Sequence, residues 1–423
     1  MTASAAAAPK RGFDWRPLSR AAVALTAFLG GFVLREPAPY ELLLVAFMAL
    51  FIAFGLRLSR FALLLAILFV AFNFGGVLSM MQMSDLKDAP VYIAVSLFLG
   101  LSSVFFCALV EADAAILRTA MRATVAGGVV TALFGILGYF GAIPGAELFV
   151  RYDRAKGLFE DPNVFGPFLV LPALYAAYGV LYRSWTLMPL RAGALLILTG
   201  GIFLSFSRGA WGLLVIAGLV LAVLLLASEE RAHMRARLIL VGAAGLALLI
   251  VTLGVALQFE VVSEMFETRA QVVQEYDGAR LGRFARHAVG FEWALTHPLG
   301  IGPLEFGRKL GEDTHNIWVK ALMAYGWLGF AAYLAITIIT LFCAGRILMR
   351  DRPWRPYLQI LYATYVGHVL LAWVIDTDHW RHIHMVIGLI WGCMALEARQ
   401  VRLEARQGRQ EQSAWMDGRS SRI

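Results

Sequence analysis

Charged residues are scarce in this 423-residue chain. Asp, Glu, Lys and Arg make up 16% of the sequence and hydrophobic residues 60%. A soluble domain usually has about a quarter of its residues charged and about half apolar. The composition excludes an ordinary soluble domain and predicts an all-α polytopic membrane protein.

Cysteine is scarce as well, since only Cys107, Cys343 and Cys393 occur. All three lie inside apolar runs without metal-ligand spacing or obvious pairing partners, so we interpret them as small hydrophobes. The glycines of Gly300-Ile301-Gly302-Pro303 have neither Rossmann nor P-loop spacing. We therefore predict no disulfide framework and no cofactor.

The formal net charge is +8, which could indicate nucleic-acid binding. However, the basic residues are spread along the connections between hydrophobic runs, and the positive-inside bias of membrane proteins explains that distribution better. We predict membrane lipids as partners and no nucleic acid.

Long apolar stretches dominate the rest of the sequence. A membrane-spanning helix needs about 20 predominantly apolar residues, which predicts about 12 transmembrane helices here. The stretches cover approximately residues 18–35, 40–56, 60–80, 90–111, 120–142, 163–182, 188–206, 210–228, 237–258, 316–345, 356–376 and 380–398.

Arginines in the short connections predict the orientation of these spans. They concentrate after the even-numbered spans, which places both termini in the cytoplasm. The predicted segments are a cytoplasmic segment (1–17), spans 1 to 9 (18–258), one large outer loop (259–315), spans 10 to 12 (316–398) and a cytoplasmic tail (399–423). The polar tail is expected to be disordered or to lie at the membrane surface.

The large outer loop combines arginines with a histidine. Arg280, Arg283 and Arg286 lie within it, and His315 stands at its end, just before the next apolar run. Guanidinium groups contact phosphate oxygens bidentately, and imidazole exchanges protons near neutral pH. This segment is therefore predicted to hold a phosphate-bearing substrate and to move a proton.

Two other outer connections carry cations. Arg208 lies between the seventh and eighth spans, where an arginine so close to hydrocarbon is a functional candidate unless it only reaches the interface. The loop over residues 146–163 carries Arg151, Arg154 and Lys156, which either add positive potential to the same face or belong to a plain connecting loop.

An acidic segment between the last two spans offers a different kind of site. Asp376 and Asp378 are followed by His379, His382 and His384, and such carboxylates and imidazoles can bind a divalent cation. The alternative, which we favour, is a polar turn between two helices, so no metal is predicted.

Four short motifs resemble those of the bacterial O-antigen ligase and polymerase superfamily. In chain order they are Gly157-Leu158-Phe159 with Pro162-Asn163; Ser207-Arg208-Gly209; Gly282-Arg283-Phe284 with His297-Pro298-Leu299-Gly300; and His315-Asn316 followed by Gly326-Trp327-Leu328-Gly329. Each motif is short, but their order and their position within about twelve spans also match the family.

The resemblance implies a metal-independent, inverting glycosyltransferase of the bacterial inner membrane with its active site facing the periplasm. Its donor would be a glycan on undecaprenyl diphosphate and its acceptor the lipid A-core oligosaccharide. His315 matches the essential histidine and would act as the base, and Arg208 with Arg283 or Arg280 would hold the diphosphate. Possible helpers are Arg154, Lys156, Arg151, Arg286 and Asn316.

Other activities remain open at this point. An O-antigen or exopolysaccharide polymerase and a protein O-oligosaccharyltransferase share the donor and much of the motif set. A transporter of lipid-linked anionic substrates is more remote, because such proteins usually contain internal repeats and the two halves of this sequence show no convincing repeat.

Overall fold

A computed structural model describes residues 14–182, 185–270 and 282–420. The described chain is mostly helical, with one small hairpin and short 3₁₀ turns at Ala146–Phe149 and Trp185–Leu187. The helices are α1 (Arg16–Leu29), α2 (Pro39–Ala53), α3 (Arg60–Met80), α4 (Ala89–Ala112), α5 (Ala115–Tyr139), α6 (Pro162–Tyr182), α7 (Met188–Leu204), α8 (Arg208–Ser228), α9 (Ala232–Ala256), α10 (Glu260–Ala270), α11 (Arg283–Thr296), α12 (Glu305–Leu310), α13 (Ile317–Ala324), α14 (Gly326–Gly345), α15 (Arg355–Leu371) and α16 (Arg381–Ser420).

Each predicted span overlaps one helix, except the tenth, which overlaps α13 and α14. Not all of these helices have the length and composition of a membrane span. Within the described ranges, six are long and apolar enough, namely α3, α4, α5, α6, α8 and α14, while α2 and α7 are shorter apolar helices. The fold is therefore that of a polytopic helical membrane protein. The predicted outer loop is partly helical in its described residues, since α10, α11 and α12 lie within it.

The helices pack into one bundle around α4 and α6, the most buried of the six candidate spans. The carboxyl-terminal helix α16 runs along α4, α15 packs on α8, and α14 packs on α3. Small residues allow these close approaches, as is common between membrane helices. A Cβ on Gly388 of α16, for example, would lie 2.4 Å from the backbone oxygen of Ser103 in α4.

The tenth predicted span is broken into α13 and α14. The break falls at Gly326, whose φ of +67° is the left-handed conformation that glycine adopts without strain. The loop after α11 packs into the break: the amide of Trp327 donates to the Pro298 oxygen (2.9 Å), and that of Ile301 donates to the Met323 oxygen (2.7 Å). These hydrogen bonds hold the loop after α11 against the bundle at the break between α13 and α14.

The carboxyl-terminal segment is helical as far as Ser420, so the expectation of a disordered tail is wrong, while a position at the membrane surface stays a prediction. The sequence there is rich in good helix formers. Arg352 fixes the beginning of this extension, because its guanidinium donates to both Glu397 (2.9 Å) and Glu404 (2.6 Å) of α16.

Candidate active site

A cavity of about 190 Å³, lined by both polar and apolar residues, opens where several helices end together. It lies between the start of α6, the turn from α7 to α8, the connection from α15 to α16 and the residue pair before α13. The polar side chains of Arg154, Asn163, Ser207, Arg208, His315 and Trp380 contribute to its lining. Arg208 and His315, predicted from separate motifs, thus meet in one cavity with Arg154, one of the possible helpers from the loop over residues 146–163.

Arg154 reaches the cavity from a two-residue hairpin. Strands β1 (Val150–Arg151) and β2 (Arg154–Ala155) pair antiparallel, and the turn residues Tyr152 and Asp153 both have positive φ, as a type I′ turn requires. Arg154 is only 5% exposed. Its Nε donates to the Ser205 backbone oxygen and its Nη2 donates to Asn163 Oδ1, both at 2.7 Å.

Arg208 is the first residue of α8 and lies beside the helix cap. Ser207 caps the helix by accepting a hydrogen bond from the Ala210 amide (3.4 Å). The preceding Phe206 has a φ of +43°, which is uncommon for an aromatic residue and turns the chain sharply between α7 and α8. This turn places the guanidinium of Arg208 in the cavity near the amino-terminal end of α8, where the helix dipole also favours an anion.

His315 lies immediately before α13, with its side chain 40% exposed to the cavity. Its φ of +50° is again left-handed. Its Nδ1 is 3.8 Å from Asp376 Oδ2, close enough for an ion pair when the ring is protonated. The segment is held there because the Ile317 amide donates to the Ala372 oxygen at the end of α15 (2.9 Å).

Lys320, in α13, is buried behind His315 among three carboxylates. Its Nζ is 3.3 Å from Asp313 Oδ2, 3.5 Å from Asp376 Oδ2 and 3.7 Å from Asp378 Oδ1. The side chains of Lys320 and Asp378 are 6% and 2% exposed. The lysine and the histidine therefore share one oxygen of Asp376.

This environment shifts the pKa values of Asp376 and Asp378, the two aspartates between α15 and α16, in opposite directions. Burial raises the pKa of Asp376 above its ordinary value, and Lys320 offsets only part of that effect. Burial would also raise the pKa of Asp378, but Lys320, His379 and the Tyr92 hydroxyl together hold it well below its ordinary value. The neighbouring cation and hydrogen-bond donors therefore favour the ionised form of Asp378 more than that of Asp376.

The remaining predicted residues do not line the cavity. Arg151 is exposed and donates to the Glu160 oxygen (3.0 Å). Burial and the neighbouring Arg151 lower the pKa of the half-buried Lys156. Arg286 is buried in α11 and forms an ion pair with Glu312, and Asn316 caps α13 by accepting hydrogen bonds from Trp318 and Val319.

Arg283 is the first residue of α11. Arg280 lies outside the described residues.

The acidic segment considered as a metal site is occupied by protein partners. His379 Nδ1 lies 3.0 Å from Asp378 Oδ2, and His384 Nε2 lies 2.8 Å from the Asp378 backbone oxygen. In the part of the chain that the structure describes, no group of three or more His, Cys, Asp or Glu is arranged to hold a metal ion. This segment and the His315 site are contiguous through Asp376.

Sequence reasoning missed Lys320 and the pairing of Asp376 with His315. A lone lysine within a predicted span is a signal for a functional or paired charge, and Lys320 follows His315 by five positions. The pairing itself had no local signal, because Asp376 comes from a connection sixty-one residues further along the chain.

The bundle and its cavity define a multi-pass membrane protein with a cationic pocket at one end of its helices. Residues 193–334, about a third of the chain, match the family model described as O-Antigen ligase. This match supports the resemblance to the O-antigen ligase superfamily that the motifs indicate. A search of the curated proteins gave no match.

Proposed function

We propose that the protein is an O-antigen ligase that transfers a glycan from undecaprenyl diphosphate to the lipid A-core oligosaccharide. The observation that carries this proposal is the convergence of His315, Arg208 and Arg154 on one cavity. A base facing two guanidinium groups meets both electrostatic demands of transfer from a diphosphate.

The reaction in this proposal is a single displacement with inversion. The acceptor hydroxyl oxygen attacks the anomeric carbon of the donor sugar, and the bond between that carbon and the diphosphate oxygen breaks. His315 takes the hydroxyl proton, and Asp376 stabilises the resulting imidazolium. Arg208 and Arg154 stabilise the negative charge that grows on the departing undecaprenyl diphosphate, with Arg283 or Arg280 as a further contact.

We further propose that the cavity faces the periplasm of a bacterial inner membrane, with both termini in the cytoplasm. The arginine distribution among the short connections supports this orientation. The proposed chemistry uses His315 as the base and arginines to stabilise the leaving group, so it assigns no step to a metal ion.

The deciding experiment uses purified protein in lipid with an undecaprenyl-diphosphate glycan and lipid A-core, with and without a metal chelator. We expect ligated lipopolysaccharide in both samples. Product that disappears only with chelator would contradict metal independence. A lengthened glycan on the carrier, without ligation, would make the protein a polymerase.

Two variants test the assigned roles in the same assay. His315→Ala should lower kcat by roughly 10²- to 10⁴-fold, the usual contribution of a positioned base, while donor binding stays near that of the wild type. Arg208→Ala should weaken donor binding. The matched control is His233→Ala, because this exposed histidine near the start of α9 lies outside the cavity and outside the motifs. Wild-type transfer by His315→Ala would exclude the proposed base.

A further inference from the structure

Lys320 connects the candidate base to the bundle through a set of buried charges. Its Nζ is within 3.7 Å of all three neighbouring carboxylates, and its ammonium also lies over the Tyr92 ring, 5.2 Å from the centroid. These partners come from α4, from the loop before α13 and from the connection between α15 and α16. A single buried cation thus joins three separate parts of the chain.

We propose that Lys320 is a positioning residue for glycan transfer, holding Asp376 ionised and directed at His315. The inference rests on the proposed function, because it gives Lys320 a role only through the base. The geometry behind it is the shared oxygen: Asp376 Oδ2 lies 3.5 Å from the lysine and 3.8 Å from the histidine.

The charge balance around the lysine explains why it would matter. With Asp313, Asp376 and Asp378 ionised, one ammonium faces three carboxylates. A carboxylate oxygen 3.8 Å from His315 Nδ1 can stabilise an imidazolium, which suits a group that must accept a proton. Without Lys320, repulsion among the carboxylates would drive a proton onto Asp376, the carboxylate whose burial already disfavours its charge.

A protonated Asp376 could no longer stabilise an imidazolium on His315. The base would then take the acceptor proton less readily, although the arginines that hold the diphosphate would be unchanged. The ionisable groups that face the lysine and its carboxylates are His315, Tyr92, Tyr325, His379 and the three aspartates.

The test measures kcat and KM for the donor against pH in the wild type, Lys320→Met and Lys320→Arg. In this proposal transfer requires ionised Asp376 and neutral His315, so kcat rises as the pH increases from acid values. We call this rising part of the pH profile the acid limb. Removing the positive charge should move this limb upward by about one pH unit or more, the usual effect of a neighbouring opposite charge. At neutral pH we expect kcat to fall about tenfold or more, with partial recovery at higher pH and an unchanged KM.

Lys320→Arg keeps the charge and should retain the wild-type acid limb. A merely structural lysine would lower the amount of folded protein without moving the limb in the fraction that remains folded. If Lys320→Met leaves the limb where it is in the wild type, the positioning role is wrong.

A second variant tests the inference if Lys320→Met alone does not fold. Lys320→Met combined with Asp378→Asn removes one anion with the cation, so this protein should be more thermostable than Lys320→Met alone. Its acid limb should still lie above that of the wild type. A wild-type limb in this folded variant would also overturn the inference.

The failure of this inference is distinguishable from failure of the proposed function. If wild-type protein transfers no glycan, the function itself is wrong. If the wild type transfers and His315→Ala does not, but the lysine variants keep a wild-type pH profile, only the role of Lys320 is wrong.

Discussion

At the scale of single residues, neighbouring arginines of the small hairpin have different environments. Arg151 and Arg154 are cross-strand partners, yet Arg151 is exposed and Arg154 is 5% exposed. The sequence names both as equal candidates because nothing local distinguishes them. The difference arises from the turn at Tyr152 and Asp153, which directs Arg154 toward Ser205 and Asn163 of the bundle.

This difference predicts unequal effects of the same substitution. Arg154→Met removes two charge-assisted hydrogen bonds and leaves buried acceptors on Ser205 and Asn163, so we expect a loss of about 1–3 kcal/mol of stability. Transfer activity should fall as well, because the cavity loses a guanidinium. Thermal unfolding in detergent and the glycan-transfer assay measure the two effects.

Arg151→Met is the matched control on the same hairpin. It removes an exposed charge, and its effect on stability should stay within about 0.5 kcal/mol. Equal destabilisation by both substitutions would contradict the different environments of the two arginines.

At the scale of elements, the helix limits could be predicted well because their signals are local. α6 begins at Pro162, with Asp161 accepting a hydrogen bond from the Asn163 amide (2.6 Å), and α8 begins after its Ser207 cap. The break between α13 and α14 was missed because residues 316–345 are predominantly apolar, with Lys320 as their only charged residue. Hydropathy records composition, whereas the break depends on contact with a loop more than twenty residues earlier.

The break makes Gly326 a sensitive position. Alanine there would have to adopt a φ of +67°, and its Cβ would lie 2.6 Å from the Leu299 backbone oxygen. We expect Gly326→Ala to lower stability by about 1–3 kcal/mol. Activity should fall with it, since α13 follows directly from His315.

Gly212 in α8 provides the control for this prediction. It has no heavy atom of the described chain within 4 Å of an added Cβ, so Gly212→Ala should be neutral or stabilising by up to about 1 kcal/mol. Thermal unfolding of both variants in the same detergent decides the matter. If Gly326→Ala is as stable as Gly212→Ala, the contact between the loop after α11 and Gly326 does not stabilise the break.

At the scale of the whole molecule, the order of the spans predicts which residues lie at the same end of the bundle. It does not predict the contacts between the buried charges there. Alternating spans bring Arg154, Arg208 and His315 to one end of the bundle, which sequence alone could anticipate. The buried cluster of Lys320 with Asp376 and Asp378 depends on how α13 packs against the connection between α15 and α16. No sequence pattern specifies that packing, so the network became visible only in the fold.

The same alternation predicts which surfaces face opposite sides of the membrane. Tyr152, 63% exposed in the hairpin, lies at the cavity end, and Asp351, 94% exposed, lies beyond the other end of α15. The 17 residues of α15 separate these ends by about 25 Å.

In a chain with Cys107, Cys343 and Cys393 replaced by alanine, Tyr152→Cys should react with a membrane-impermeant maleimide in intact spheroplasts. Asp351→Cys should react only after permeabilisation, because the membrane shields it. The reverse pattern would put the cavity in the cytoplasm and contradict the proposed periplasmic donor, and reaction of both in intact spheroplasts would place both ends of α15 on the same side.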